Sequence, residues 1–389
     1  MLSLAEVGAM RERRVAGLMT GTSMDGLDVA ICRIEPRGGC EPGERLVFEL
    51  LAFETVPMPD DIRRDLSPER LTDIAAIARI NQRLGQYFAD ALSEVAGPSR
   101  LNLIGSHGQT VYHEHGVTSL QLGEPGPLAA RFGCPVISDF RMNDIALGGS
   151  GAPLVPYVDQ RLLGRQGEAL LAINIGGISN VTALPGDPTA SDRVIGMDCG
   201  PGNMLMDALA ARWSNGRDKA DMDGRLALCG QVDEDLLAWL KAHPYFSKNP
   251  RPSAGREQFG EAFLDEIIAK AGTDLENEAD ISALMATLAA FSVWGIVDAY
   301  RRFIAPVSPV ARVIVSGGGS RNPALMAGLD EGFGNIEVGA SDALGLPVDA
   351  KEAIAFAILA SDRVDRRPTS LPSVTGACRE ALLGKITEC

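Results

Sequence analysis

Asp198 precedes Gly200-Pro201-Gly202-Asn203, a run that forces a tight turn between a strand and a helix. A carboxylate fixed beside such a turn can face a cleft and take a proton from a hydroxyl or a water. The competing role is an N-cap, in which Asp198 would only satisfy helix amides. Three glycine turns add to it. Gly21 to Gly26 (GTSMDG) offers successive backbone N–H groups with the Thr22 and Ser23 hydroxyls, a concave nest for an anion, or simply a hairpin turn. Gly176 to Asn180 (GGISN) carries the same two possibilities, and turns in matching places of two half-chains favour the ligand reading. Gly317-Gly318-Gly319 follows a β-branched strand, where glycine lets backbone approach a flat group such as adenine or ribose, and Asn322-Pro323 opens a helix behind it.

Among other phosphate chemistries, a Walker site is excluded and a dinucleotide site is disfavoured but stays as a weak alternative. A Walker loop places a lysine after its glycines, and the six lysines (219, 241, 248, 270, 351 and 385) follow no glycine-rich loop. The dinucleotide fingerprint fails because Gly317-x-Gly319 leads to Asn322 where glycine is required. The chain has 36 Lys+Arg against 51 Asp+Glu, a formal net charge of -15, which argues against nucleic acid and anionic membranes as partners. Seven dispersed cysteines without a C-x-x-C pair read as reduced thiols in a cytoplasmic protein.

The elements that must position these residues follow from hydrophobic period. Arg14 to Gly21 and Leu27 to Ile34 predict a hairpin around the first turn, with a third strand at Arg45 to Glu54. Leu71 to Val95 carries apolar residues at helical spacing, and Leu101 to Ile104 is a strand. The outline then recurs: strands at Ala169 to Ile175, Val181 to Pro185 and Val194 to Met197, a helix at Met204 to Trp213, a strand at Arg312 to Val315 and a helix at Ala350 to Ala360. Ile281 to Val297 is uncharged but carries Ser282, Thr287, Ser292 and Gly295, so a buried helix is expected rather than a membrane span. The expected fold is therefore α/β, two duplicated halves around a cleft, with residues 1–147 and 362–389 in the first domain and 148–361 in the second.

These segments resemble the anhydro-N-acetylmuramic acid kinase family, within the superfamily of sugar kinases, actin and heat-shock chaperone ATPases. The resemblance rests on Gly21 to Asp28, Ser106 to Thr110 (SHGQT), Leu120 to Pro125, Asp139 to Arg141, Gly148 to Pro156, Asn174 to Asn180 and Asp198 to Asn203. Gly255 to Glu257, Gly317 to Gly319 with Asn322-Pro323, and Leu371 to Gly376 complete it, in order over nearly the whole chain. It implies two ribonuclease-H-like domains with mixed sheets, and a kinase that opens 1,6-anhydro-N-acetylmuramic acid with water while phosphorylating its 6-oxygen from ATP. It also implies a homodimer. Asp25 can hold Mg²⁺ or its waters, because this hard ion prefers carboxylate and phosphate oxygens.

Residue by residue, the resemblance implies phosphate binding by Gly21, Thr22, Ser23, Met24, Asp25, Gly26, Leu27 and Asp28, with Gly176 and Gly177 opposite. It implies a general base at Asp198, and the glycine loop read above places adenosine contacts at Gly317, Gly318, Gly319 and Asn322. Polar residues available to the sugar are His107, Gln109, Arg141, Asp144 and Glu352; Arg141 has the best physical case, because a guanidinium holds a carboxylate through two parallel hydrogen bonds. Cys199, Ser150 and Glu124 stand where the family commonly has Thr, Gln and Asp. A plain sugar or acid kinase on the same fold, and a non-catalytic ATPase-fold sensor, are the competing readings.

Overall fold

The computed structural model describes residues 1–21, 24–35, 46–67, 69–98, 100–249, 251, 253–344 and 346–389. The chain forms two compact units: Met1–Leu163 with Pro188–Asp192 and Asp349–Cys389, and Gly164–Asp187 with Arg193–Val348.

In the first unit β1 (Arg13–Met19), β2 (Gly26–Glu35) and β3 (Val47–Pro57) form an antiparallel meander, while β4 (Leu103–Ser106) runs parallel to β1 on its other side. β5 (Gln109–Glu114) and β6 (Thr118–Leu122) make a separate hairpin, and β7 (Val136–Ser138) extends the sheet parallel to β4, with Lys385–Thr387 at its edge. The second unit repeats the plan. β8 (Leu170–Ile175), β9 (Ile178–Leu184) and β10 (Ile195–Pro201) form the meander, and β11 (Arg312–Ser316) and β12 (Glu337–Ala340) add in parallel beyond β8. In chain order both sheets read 3-2-1-4-5, the ribonuclease-H-like arrangement, so the expected duplication of mixed sheets is present.

β1 and β8 are apolar almost throughout because each is a central strand covered on both faces. One cover in the first unit is the helix Ile74–Ala96, which starts at Asp73 through a side-chain cap on Ala76 N–H and buries Leu84, Phe88 and Leu92. The other is Lys351–Val364. Gly17 and Gly105 sit side by side in β1 and β4, and a Cβ on either would strike the helix backbone at Ala353 or Phe356. Glycine in the sheet and alanine in the helix together permit this close approach.

That docking explains where the units part. The sequence reading divided the chain at 147/148 and 361/362, whereas the compact units divide at 163/164 and 348/349, with Pro188–Asp192 returning to the first. Lys351–Val364 belongs to the first sheet, and the buried ion pair between Lys351 and Asp159 (2.8 Å) ties the helix Val155–Leu163 to it.

The long apolar helix is Glu278–Ala299, with a wide turn over Tyr300–Ile304. By length and composition it could cross a membrane, but most of it is buried in the second unit's core, as its interspersed serines suggested. The six cysteines among the described residues are free thiols.

Candidate active site

In the second unit, the β8–β9 turn is tied to the residues after Asp198. Gly202 N–H donates to Gly177 O and Asn203 N–H to Gly176 O, both at 2.8 Å. A Cβ on Gly202 would collide with Gly176 O, so glycine is required for this approach. Asn203 also donates from Nδ2 to Ile175 O (3.3 Å), and Gly318 and Gly319 pack beside its amide. Gly176, Gly318 and Gly319 thus meet at Asn203, while Gly317 packs against Asn174 and Ile175. Asn322 stands apart in role: its Oδ1 accepts from Ala324 N–H (3.0 Å) and Leu325 N–H (3.4 Å), capping the helix Pro323–Phe333.

Asp198 lies where β10 departs from regular pairing with β9, between Asp198 and Gly200. Buried carbonyls need donors, and here each comes from a different side chain. Tyr245 OH donates to Asp198 O (3.1 Å), Arg251 Nη1 to Cys199 O (3.0 Å), Ser179 Oγ to Gly200 O (3.2 Å) and Ser292 Oγ to Gly202 O (2.8 Å). The Asp198 carboxylate itself accepts from Ala254 N–H (2.9 Å) while staying partly exposed. It caps no helix. Burial raises its pKa above the ordinary value, and the Ala254 hydrogen bond partly opposes this. A fixed, accessible carboxylate with a raised pKa has the properties of a general base.

Sequence reasoning missed this cradle. Arg251 has a fully buried side chain that also donates to Gly295 O (2.9 Å), pairs with Asp298 and lies over the rings of Phe246 and Phe303. It sits in an irregular segment where no hydrophobic period marks a buried position. Asp207, on the helix Met204–Trp213, was also not singled out. Its carboxyl has no side-chain partner among the described residues, and burial raises its pKa to about 7. The folded state therefore holds a proton that the unfolded chain has released, and Asp207 weakens the fold progressively as pH rises from about 4 to about 7. Asp207→Asn is expected to be more stable than wild type by about 1–4 kcal/mol at pH 8 and equal to it near pH 3, as read by denaturation at both pH values.

In the first unit, Gly21, Met24, Asp25, Gly26, Leu27 and Asp28 lead into β2; Thr22 and Ser23 lie outside the described residues. Met24 holds a left-handed backbone (φ 57°), a strain typical of functional turns. Asp25 is exposed. Asp28 accepts a hydrogen bond from Thr55 Oγ1 (2.6 Å), and burial raises its pKa, with Asp349 adding to the effect. Gln109 Nε2 donates to Gly21 O (3.3 Å), joining this turn to β5, while its buried Oε1 has no partner among the described residues.

His107, Arg141 and Glu352 form a second group. Arg141 donates to His107 Nε2 from Nε (3.2 Å) and Nη2 (2.9 Å), and from Nη1 to Gly151 O (2.8 Å). Burial lowers its pKa to about 10, with Glu352 opposing, so it stays cationic at neutral pH. Burial raises the Glu352 pKa, and Asp28 adds to the rise. Asp144 differs from the sequence expectation. It is fully buried, with Oδ1 accepting from Thr375 Oγ1 and Oδ2 from Gly151 N–H (both 2.8 Å), so it holds the Gly149–Gly151 loop from inside the first unit.

The model of the family described as anhydro-N-acetylmuramic acid kinase matches residues 13–389. The chain belongs to this family. A relative of that name from Caldanaerobacter subterraneus subsp. tengcongensis is 38% identical over 393 residues, covering 97% of each chain. One from Salinibacter ruber is 39% identical over 393 residues, covering 96% of each. A solved ROK family glucokinase from Streptomyces griseus, in complex with glucose and AMPPNP, aligns over 90% of this chain and 99% of its own, with 13% identity and a TM-score of 0.41.

Proposed function

We propose that the protein is an ATP-dependent kinase that opens 1,6-anhydro-N-acetylmuramic acid with water and phosphorylates its 6-oxygen. The products are N-acetylmuramic acid 6-phosphate and ADP, returning a cell-wall fragment to metabolism. The observation that carries the reading is Asp198: a partly exposed carboxylate of raised pKa, fixed by Ala254 N–H beside the glycine turns, in a chain of this family.

In this mechanism Asp198 takes a proton from water as the water oxygen bonds to the anomeric carbon. The bond from that carbon to the 6-oxygen breaks, and its electron pair stays on the 6-oxygen. That oxygen bonds to the γ-phosphorus, the bond to the β,γ-bridging oxygen breaks, and ADP leaves. Asp198 then gives its proton to solvent. Orientation supplies much of the advantage, because water, sugar and phosphate must align at once.

Gly21–Asp28 and Gly176–Gly177 would supply backbone donors to the phosphates, and Gly317–Gly319 a flat approach for adenosine; Asn322 supports that loop as a cap. Among the described residues no group of three His, Cys, Asp or Glu could hold a metal ion, so Asp25 suits a Mg²⁺ held mainly by phosphate oxygens and water. When bound, Mg²⁺ would offset charge on the phosphates. A cytoplasmic location, from the dispersed cysteines, and a homodimer, as family resemblance implies, complete the reading.

The test is turnover with ATP in heavy-oxygen water. One labelled oxygen at the anomeric carbon is expected for each ADP released. A phosphorylated product without label would instead identify a plain kinase, and absence of ATP-dependent product would remove the kinase reading.

A further inference from the structure

Arg141 has five N–H groups, and three of them are committed to chain acceptors: Nε and Nη2 to His107 Nε2, and Nη1 to Gly151 O. One N–H therefore remains on each terminal nitrogen. Because a guanidinium can only donate, His107 Nε2 must be the acceptor, which leaves the ring proton on Nδ1. There it meets Gly108 O at 2.8 Å. The tautomer is thus fixed by its partners on both sides. The ring cannot drift, since His107 is buried, packs on Phe356 (centroids 4.6 Å apart), and Phe356 packs on Phe140 (5.2 Å), the neighbour of Arg141.

The choice of histidine matters. A carboxylate at position 107 would orient the guanidinium as well but would neutralise it. A neutral imidazole orients it and leaves the whole positive charge for an incoming anion. Glu352 influences Arg141 electrostatically but makes no ion pair with it. Arg141 is itself partly exposed, and its two remaining N–H groups have no acceptor among the described residues.

We propose that His107 is a positioning residue that presents Arg141 as a receptor for a carboxylate on the sugar, and so makes the enzyme select anhydro-sugars that carry an acid side arm. This rests on the kinase reading above. His107 acts through Arg141 and touches no reacting atom.

The test compares kcat/KM for 1,6-anhydro-N-acetylmuramic acid with that for 1,6-anhydro-N-acetylglucosamine, the same sugar without its lactyl ether. Wild type is expected to prefer the acid. In His107→Phe, which keeps a ring on Phe356 but lacks the acceptor, the preference should fall about 10- to 100-fold, mainly through KM for the acid. His107→Gln, whose amide both accepts and donates, should recover part of it. Wild type without preference, or folded His107→Phe with unchanged preference, would overturn the proposal. Inactivity of wild type toward both sugars would instead defeat the kinase reading. Nitrogen chemical shifts of His107 in the wild-type protein give a measurement independent of any variant's folding. A neutral ring protonated on Nδ1 from about pH 5.5 to about pH 8 is expected, and a cationic ring or the other tautomer in that range contradicts the role.

Discussion

Asp198→Asn is expected to lower kcat by about two to four orders of magnitude while leaving the protein at least as stable as wild type at pH 7. The two halves of this result have one cause. Asn keeps an oxygen to accept from Ala254 N–H, so the turn and its four side-chain donors stay in place. What is lost is the negative charge and with it the ability to take a proton. Wild type carries that charge in a site that disfavours it, because burial raises the Asp198 pKa. The stability sign follows by linkage. A carboxyl whose folded pKa is raised opposes folding at pH values above it, and the opposition disappears once the group is protonated in both states. The variant's thermal stability should therefore exceed that of wild type at neutral pH and converge with it on acidification. In wild type, the acid limb of the kcat profile should lie above the ordinary aspartate pKa of about 3.9, because only the charged form acts as a base. An Asn variant that keeps the wild-type rate would remove Asp198 from the chemistry. One that loses both activity and stability would make it a structural residue.

The legible parts of the molecule are those written in local pattern. The hairpin around the first glycine turn, the amphipathic helix Ile74–Ala96 and the helix Met204–Trp213 follow from residue spacing within one element, and the structure places them within a few residues of expectation. β5, β6, β7, β12 and Lys385–Thr387 were not anticipated; the last three hold only three or four residues and, unlike β4, do not lead into a glycine turn that marks them, while β5 and β6 carry polar residues that break the apolar alternation. Lys351–Val364 was legible as a helix but not as part of the first unit. Its place depends on Gly17 and Gly105 admitting its backbone, a pairing between segments far apart in sequence. The candidate site divides in the same way. Asp198 and the glycine turns stand out by composition. Asp144 and Asn322 did so too, yet their oxygens are committed to chain donors, which only three-dimensional structure reveals. Arg251 and the partnership of His107 with Arg141 are long-range side-chain geometry, and no local pattern encodes them.

Arg251→Met should damage both stability and catalysis. Methionine retains length and apolar stem but abandons three acceptors at once: Cys199 O, Gly295 O and the Asp298 carboxylate. Two of these are backbone carbonyls in the core, and the third is a largely buried charge whose remaining cation is Arg302, at 3.3 Å on the helix's outer side. Removing one member of a fully buried pair costs about 3–5 kcal/mol, and because Arg302 still faces Asp298 the loss here is expected at or below the lower end of that range. Arg251→Met/Asp298→Asn is expected to recover a substantial part of that loss, and a double-mutant cycle of denaturation free energies would measure it. Catalysis should not recover equally. Arg251 anchors the strand at Cys199, one residue beyond Asp198, while Ala254, three residues after Arg251, holds the Asp198 carboxylate. Losing the anchor loosens both ends of this arrangement, so the double variant should remain about tenfold or more below wild type in kcat. A double variant with wild-type stability and wild-type kcat would show that Arg251 matters only to the fold. Restored stability with kcat still depressed would place the rigidity of the Asp198 turn among the causes of the rate.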